Sequence, residues 1–252
     1  NGVETVTDPG VCTAVVNGIA LQYVHDNCPV TITYSITGAT IKTGTNDASG
    51  TVFNKGTSTV TYTVVDESGN SSVCSFDVEV EDHENPIIDC TNIVNIVRSN
   101  NLNKCSYTAV GTEFNPSFFD DNCPGATITN NYNNSPSLAG AEFPVGLTIV
   151  IWTVTDASGN TVTCSSKITV NDTQLPTITC PTANATVFIN DPGQCSKTIL
   201  NTALDPAFAD NCPDAGITHN YVTAPNPWTL AGATFPVGST TVLWTVKDKA
   251  GN

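Results

Sequence analysis

Cysteine is the residue of this sequence with the clearest chemical meaning. The 252 residues include ten cysteines, and no two of them form a Cys-x-x-Cys pair. Zinc sites often combine such pairs with histidine, but His25, His83 and His219 occupy unrelated positions. Ten cysteines in a chain of this size are typical of disulfide-bonded domains from an oxidising compartment. The sequence therefore predicts an extracellular or cell-surface protein that is cross-linked by disulfides.

Aspartates form the second candidate set, because they recur at two fixed places. They open turns that end in Gly-Asn, and they precede the cysteine of an Asp-Asn-Cys-Pro motif: Asp66, Asp156 and Asp248, and Asp26, Asp121 and Asp210. Asp side chains commonly accept hydrogen bonds from backbone N–H groups in tight turns, and we prefer this interpretation. The alternative is a Ca²⁺ site, because calcium binds hard oxygen ligands from loops.

A short acidic segment, Glu-Asp-His-Glu-Asn-Pro at residues 81–86, adds further carboxylates to the calcium alternative. That alternative names Asp82, Glu84, Asp121 and Asp156 as ligands. The other interpretation of the segment is a solvated polar linker that Pro86 keeps extended. Under that interpretation no cofactor is predicted.

Charge and histidine placement exclude several classes of function. The formal net charge is −15, with only eight Lys and Arg residues, so binding to nucleic acid or to anionic membranes is not expected. No apolar run approaches the roughly 20 residues of a membrane helix. The histidines share no repeat position, so no recurring His-based catalytic constellation exists, and neither an enzyme nor a catalytic residue is predicted.

Internal repeats organise the elements that must position these residues. The Asp-Asn-Cys-Pro motif starts at residues 26, 121 and 210, and this spacing of roughly 90 residues suits a seven-strand β-sandwich. In each copy, valines alternate with other residues around a large aromatic side chain: Tyr62, Trp152 and Trp244. A period of two with one apolar face indicates β-strands, so these aromatic residues are predicted to lie in a core.

The stretch FPVGLTIVIWTVTDASGNTVTCSSKITVND, followed by LPTITCP, resembles the hyalin repeat (HYR) family, an immunoglobulin-like extracellular module. The resemblance covers three copies, and the first departs from it at the FPVG turn, where residues 53–56 read Phe-Asn-Lys-Gly. It implies an all-β fold of tandem immunoglobulin-like β-sandwich repeats. We place the repeats at residues 1–82, 83–172 and 173–252, the first without its first strand and the third without its last.

The resemblance also implies a function. Four-cysteine versions of the repeat are similar to those of very large surface proteins of Bacteroidota, including gliding-motility adhesins. We therefore expect a structural shaft of a cell-surface adhesin, with flanking repeats of the same chain as partners. The alternative is a binding module whose loops contact a surface polysaccharide or a protein. Trp228, which follows Pro-Asn-Pro in a loop, is its candidate binding residue.

Each copy has four cysteine positions, and the middle two lie close in sequence. Closing loops of this size is worth roughly 3 kcal/mol in the chain-entropy model, which favours pairs inside each copy: Cys12 with Cys28, Cys105 with Cys123, and Cys195 with Cys212.

The outer cysteines allow two schemes, either Cys90 with Cys164 or pairs across the repeat junctions. We prefer Cys90 with Cys164, because domains placed end to end would separate Cys74 from Cys90 by more than the roughly 7 Å that a disulfide spans. Cys74 and Cys180 then have no partner in this sequence.

Overall fold

The computed structural model describes residues 2–181 and 187–252, and the regular secondary structure of these residues is almost entirely β-strand, joined by turns and loops. One 3₁₀-helix, Thr91–Ile93, is the sole helix among them. In this part of the chain no helix is long and apolar enough to cross a membrane. The chain forms two compact units whose segments alternate in sequence: Asn1–Val94, Phe114–Leu138 and Val150–Ser166 in unit 1, and Asn95–Glu113, Ala139–Ile149 and Lys167–Asn252 in unit 2.

The first sequence copy forms a two-sheet β-sandwich in unit 1. Its strands are β1 (Val3–Val6), β2 (Thr13–Val16), β3 (Val30–Gly38), β4 (Lys42–Thr45), β5 (Thr51–Asn54), β6 (Gly56–Asp66) and β7 (Ser71–Glu81). The larger sheet has the order β1-β7-β6-β3-β4, and β2 pairs with β5 in the other. β1 runs parallel to β7, whereas β6 is antiparallel to both β3 and β7.

Alternating apolar residues from both sheets fill this sandwich. On β6, the side chains of Val60 and Tyr62 are fully buried. The Tyr62 hydroxyl donates to the Ile19 carbonyl and accepts from the Ala48 N–H, both at 2.9 Å, so its polar atom is satisfied inside the core. The other buried residues of this core come from strands of both sheets and from the connecting loops: Ala14, Val16, Ile19, Tyr34, Ile36, Ala48, Phe53, Val78 and Val80.

The second copy repeats the pattern. Its strands are β8 (Ile87–Asp89), β9 (Asn95–Ser99), β10 (Ser106–Thr108), β11 (Phe118–Asp120), β12 (Thr127–Asn130), β13 (Glu142–Pro144), β14 (Gly146–Thr155) and β15 (Thr161–Asn171). One sheet has the order β12-β14-β15-β9, while β8 pairs with β11 and β10 with β13. β9 runs parallel to β15, as β1 does to β7.

The third copy has the corresponding short pairs. Its strands are β16 (Thr177–Thr179), β17 (Ser196–Thr198), β18 (Ala207–Ala209), β19 (Gly216–His219), β20 (Thr234–Pro236) and β21 (Trp244–Lys247). β16 pairs with β18, β17 with β20, and β19 with β21. These are the counterparts of β8 with β11, β10 with β13, and β12 with β14. The predicted fold class of tandem β-sandwich repeats is confirmed.

Candidate metal centre

The Gly-Asn turns use their aspartates to hold the backbone, as the preferred interpretation predicts. Asp66 Oδ1 accepts from the Asn70 N–H at 2.8 Å, and its Oδ2 accepts from the Asn70 side chain at 2.8 Å. The side-chain hydrogen bond from Asn70, helped by backbone N–H groups, lowers the pKa of Asp66. Asp156 and Asp248 accept the same bonds from Asn160 and Asn252.

In the second and third copies these turns also bind a buried aspartate. Asn160 Nδ2 donates to the Asp82 carbonyl at 3.0 Å, and Asn252 Nδ2 donates to the Asp172 carbonyl at 3.1 Å. The residues Asp82 and Asp172 are only 3% and 7% exposed. Charged residues are rarely buried so deeply without paired groups, so their surroundings carry information about function.

The Asp-Asn-Cys loop supplies the remaining oxygens. Asp121 Oδ2 accepts from the Cys123 N–H at 3.0 Å, and the Asn122 side-chain amide donates to the Val11 carbonyl at 3.2 Å and to Asp82 Oδ1 at 3.4 Å. The other oxygens, Asp121 Oδ1 and Asn122 Oδ1, are buried without a hydrogen-bond partner in the described part of the chain. Buried oxygens without a partner are uncommon and call for a ligand or water.

We call this group junction cluster 1; its members are Asp82, Asp121, Asn122 and Asp156. Carboxylate oxygens of Asp82 and Asp121 lie within 4.8 Å of each other. Burial raises the pKa of Asp121, and the negative charges of Asp82 and Asp156 raise it further. Lys55 Nζ, 3.6 Å from Asp82 Oδ2, partly offsets this negative charge. Excess buried negative charge beside unpaired oxygens fits a bound cation.

Unit 2 contains an equivalent group, junction cluster 2; its members are Asp172, Asp210, Asn211 and Asp248. Asn211 Nδ2 donates to Asp172 Oδ1 at 3.2 Å, and Asp210 Oδ1 and Asn211 Oδ1 are again buried without a hydrogen-bond partner among the described residues. Val145 occupies the position that Lys55 has in the first copy. The Lys55 N–H donates to the Cys12 carbonyl, and the Val145 N–H donates to the Cys105 carbonyl. Cluster 2 therefore lacks the lysine of cluster 1.

The donor set decides which metal would fit. The sulfur atoms nearest the clusters, those of Cys123 and Cys212, are bonded in disulfides and are not available as thiolates. Carboxylate and amide oxygens remain, and these suit Ca²⁺, with water completing a shell of six to eight ligands.

The calcium alternative predicted Glu84 as a ligand, but Glu84 lies outside the cluster. Its Oε2 instead accepts from the Gly10 N–H at 2.9 Å on an exposed surface. The structure brings the other three predicted residues together and adds Asn122. Sequence reasoning missed this asparagine and, in cluster 2, Asp172 and Asn211, although the Asn beside each cysteine of the motif recurs in every copy and was a usable signal.

Three predicted cysteine pairs are wrong. The structure joins Cys12 to Cys123 and Cys105 to Cys212, each with Cα atoms 4.7 Å apart, across the sequence repeats. The exposed cysteines Cys28 and Cys195, which we had paired inside their repeats, are free, as are Cys74 and Cys180. Cys90 is bonded to Cys164, which is the scheme preferred for the outer cysteines.

The reason for the difference is the position of the Asp-Asn-Cys loop. Asn122 binds the carbonyl of Val11, and Asn211 binds that of Lys104, so each loop lies beside the cysteine of the preceding copy. The chain-entropy term rises slowly with loop length, so it does not favour a short loop over one of 111 residues.

The aromatic residues separate into core and surface. Tyr62 and Trp152 are fully buried, as predicted. Trp244 is half-buried, with its ring 4.8 Å from that of His219 in an edge-to-face arrangement. Trp228 is 60% exposed, beside the bridge between Asn226 and Thr229. It is therefore accessible to a ligand.

Comparison with known proteins assigns the repeats. Residues 12–80, 81–170 and 171–252 each match the HYR domain. The chain belongs to the HYR domain family. Hyalin of Strongylocentrotus purpuratus is 32% identical over an alignment of 211 residues, which covers 81% of this chain and 16% of that protein. Hyalin of Lytechinus variegatus is 31% identical over an alignment of 268 residues, which covers 100% of this chain and 46% of that protein. The chain thus spans less than half the length of either hyalin.

Among solved structures, human CDH23 EC21-23 aligns with this HYR chain at a TM-score of 0.32 and 15% identity, over 88% of this chain and 84% of that one. A TM-score this low does not support a fold assignment. The fold assignment rests on the strand pairing of the chain itself.

Proposed function

We propose that these HYR repeats form a shaft segment of an extracellular adhesion protein at the cell surface, without enzymatic activity. The observation that carries the proposal is that each pair of consecutive HYR segments is joined by a disulfide, Cys12–Cys123 and Cys105–Cys212. The disulfide joins consecutive segments by a second covalent connection in addition to the peptide chain. Such a connection suits a chain that transmits tension. The resemblance to repeats of Bacteroidota surface proteins supports the proposal that the chain is part of a large adhesin, of the kind that includes gliding-motility adhesins.

The disulfides define a short covalent path for tension. From Cys12 the path crosses to Cys123, follows the peptide back to Cys105, and crosses to Cys212. Only about 18 residues of peptide separate the two bonds, which corresponds to about 60 Å when fully extended. Without the bonds, the same span contains about 200 residues and extends to about 700 Å.

Single-molecule pulling from tags at the two ends tests the shaft proposal. We expect the oxidised chain to resist extension between these cysteines, and the reduced chain to release several hundred ångströms as its repeats unfold. The variant Cys12→Ser is the matched control, because its shortest path includes about 93 residues and extends to about 300 Å. Equal unfolding lengths for the oxidised and reduced chains would contradict the proposal.

Exposure of Trp228 supports the second candidate function, a binding module for a surface polysaccharide or protein. An exposed aromatic ring offers a stacking surface for an apolar or sugar ligand. Glycan-array binding that is lost in Trp228→Ala would favour this candidate, whereas no binding by the wild-type chain would leave the shaft as the function.

We also propose that junction clusters 1 and 2 each bind Ca²⁺. The support is the four buried oxygens without partners, two in each cluster, beside buried carboxylates. Cluster 2 should bind more tightly, because Lys55 offsets negative charge only in cluster 1. Calorimetric titration with calcium should show two classes of site, and Lys55→Met should strengthen the weaker class. The assignment would be contradicted by a single class of calcium site that Lys55→Met leaves unchanged. It would also be contradicted if titration with calcium released no more heat than titration with magnesium.

A further inference from the structure

The loop that carries Trp228 begins after His219, the last residue of β19. Its counterpart in the second copy begins after Asn130, the last residue of β12. His219 is paired with Trp244 in its sheet, and Asn130 is paired with Trp152, so the two residues occupy equivalent positions. The third copy therefore has an imidazole where the second copy has an amide.

The loop of the third copy is longer than its counterpart. Each loop ends at a buried leucine whose N–H donates to a side-chain oxygen, Leu138 to Asn115 at 2.9 Å and Leu230 to Asp205 at 2.8 Å. The leucine follows the last strand residue by eight positions in the second copy and by eleven in the third. The longer loop contains the Pro-Asn-Pro-Trp sequence that ends at Trp228.

His219 binds this loop on both sides of Trp228. Its Nε2 lies 3.0 Å from the Asn226 carbonyl oxygen and 3.1 Å from the Thr229 carbonyl oxygen. Its backbone N–H donates to the Pro227 carbonyl at 2.9 Å. One histidine thus attaches the residues that flank Trp228 to the end of β19.

The hydrogen bonds determine the tautomer of His219. The Tyr221 N–H donates to Nδ1 at 3.1 Å, and an amide N–H can only donate, so Nδ1 carries a lone pair and the proton is on Nε2. Asn130 makes equivalent bonds with a group that does not titrate. Its Oδ1 accepts from the Tyr132 N–H at 2.9 Å, and its Nδ2 donates to the Ser135 carbonyl at 2.7 Å.

The charged and titratable groups around His219 lie on three elements. Asp205, just before β18, accepts from the hydroxyl of Thr229, whose carbonyl faces Nε2. Tyr221, in the loop, donates its hydroxyl to a backbone carbonyl at 2.6 Å. Lys247, on β21, lies three positions from the residue that is paired with His219. A proton added at Nδ1 therefore meets the Tyr221 N–H, which is itself a donor.

We propose that His219 positions Trp228 for binding and makes this position depend on pH. The inference rests on the proposed binding function of Trp228. Histidine side chains change charge between pH 5 and 8. A protonated His219 carries a hydrogen on Nδ1, so the bond from the Tyr221 N–H is lost and the two donors repel each other. The loop then detaches from the end of β19, and a ligand that Trp228 binds at pH 8 is released at pH 5.

Fluorine NMR of the whole chain labelled with 5-fluorotryptophan tests this inference without any ligand. The three signals come from Trp152, Trp228 and Trp244, and replacing one tryptophan at a time by phenylalanine assigns them. The Trp244 signal reports protonation of His219, because the two rings lie 4.8 Å apart. Between pH 8 and pH 5, the signals of Trp244 and Trp228 should shift with the same midpoint, while the signal of the buried Trp152 stays unchanged.

Two variants remove the titrating ring and keep one of its bonds. His219→Asn introduces the residue of the second copy and keeps an acceptor for the Tyr221 N–H, whereas His219→Gln keeps a donor near the position of Nε2. In both variants the Trp228 signal should no longer shift with pH, and an unchanged Trp152 signal shows that the variant is folded. His83→Gln is the matched control, because His83 is exposed and lies in unit 1. It should keep the wild-type shift of the Trp228 signal.

The inference is overturned if the Trp228 signal stays constant from pH 8 to pH 5, or if it shifts equally in wild type and in both His219 variants. Glycan arrays at the two pH values test the binding function separately. A glycan that requires Trp228 should bind the wild type several-fold more weakly at pH 5 and should bind His219→Asn equally at both; equal binding by the wild type would also overturn the inference. If no glycan binds at either pH, the binding function of Trp228 fails, whereas the fluorine signals still decide whether His219 holds the loop.

Discussion

Replacing Asp121 by asparagine should change stability in opposite directions with and without calcium. Carboxylate oxygens of Asp121 and Asp82 lie within 4.8 Å of each other. Two unit charges at that distance repel by about 3 kcal/mol at an effective dielectric constant of about 20. Lys55 and the Asn122 amide offset part of this repulsion at Asp82. Without calcium, Asp121→Asn should therefore stabilise the fold at pH 7 by about 1–3 kcal/mol.

Calcium should reverse the order of stability, so that the wild type becomes more stable than Asp121→Asn. A ligand that binds only the folded state stabilises it by RT ln(1 + [L]/Kd), about 2.7 kcal/mol at a hundredfold excess over Kd. The wild type should gain this energy, and Asp121→Asn should lose much of it because the charged ligand is gone.

Urea unfolding in EGTA and in millimolar calcium measures both effects. Asp66→Asn is the matched control, because Asp66, like Asp121, holds a turn by accepting a backbone N–H hydrogen bond but belongs to neither cluster. It should lower stability equally in both solutions. If Asp121→Asn instead destabilises the protein by the same amount in EGTA and in calcium, Asp121 only holds its turn and the cation assignment fails.

Two further substitutions test the fold. Burial opposes ionisation of Glu113, but hydrogen bonds from a backbone N–H and from Arg98, at 2.7 Å, hold its pKa below the ordinary value. Its contribution is therefore present above the unfolded pKa of about 4.3 and is lost as the pH falls through the lower folded value. Glu113→Gln should cost about 1 kcal/mol at pH 7 and almost nothing at pH 2, as measured by urea midpoints. Tyr62→Phe should cost about 1–3 kcal/mol in urea unfolding at pH 7, because it leaves the Ala48 N–H and the Ile19 carbonyl buried without their partner; an unchanged midpoint would contradict this.

The fold was predictable because its signals are local. The alternation around Tyr62 and Trp152 specifies which face of each strand is buried, and both side chains are fully buried in the structure. The turn role of Asp66 was predictable for the same reason, since its partner Asn70 is four residues away.

The disulfides and the clusters were harder to predict because they depend on how one repeat packs on the next. Cys12 is close in sequence to Cys28, yet its partner is 111 residues away. No spacing within one repeat indicates that choice. Asn122 could have been identified, because the aspartate before it already holds the turn and leaves the recurring asparagine without a local role.

The long span between bonded cysteines also determines the order of events during biosynthesis. Cys12 cannot close its link until Cys123 has been made, 111 residues later. At about 5–20 residues per second, this takes roughly 5–20 s, during which Cys28 is the nearer thiol. A chain that enters an oxidising compartment as it is made would therefore pass through a stage in which a wrong local disulfide can form first and must then be exchanged. In such a chain the Cys12–Cys123 bond would close before the Cys105–Cys212 bond, because each first cysteine must wait for a partner in the next repeat.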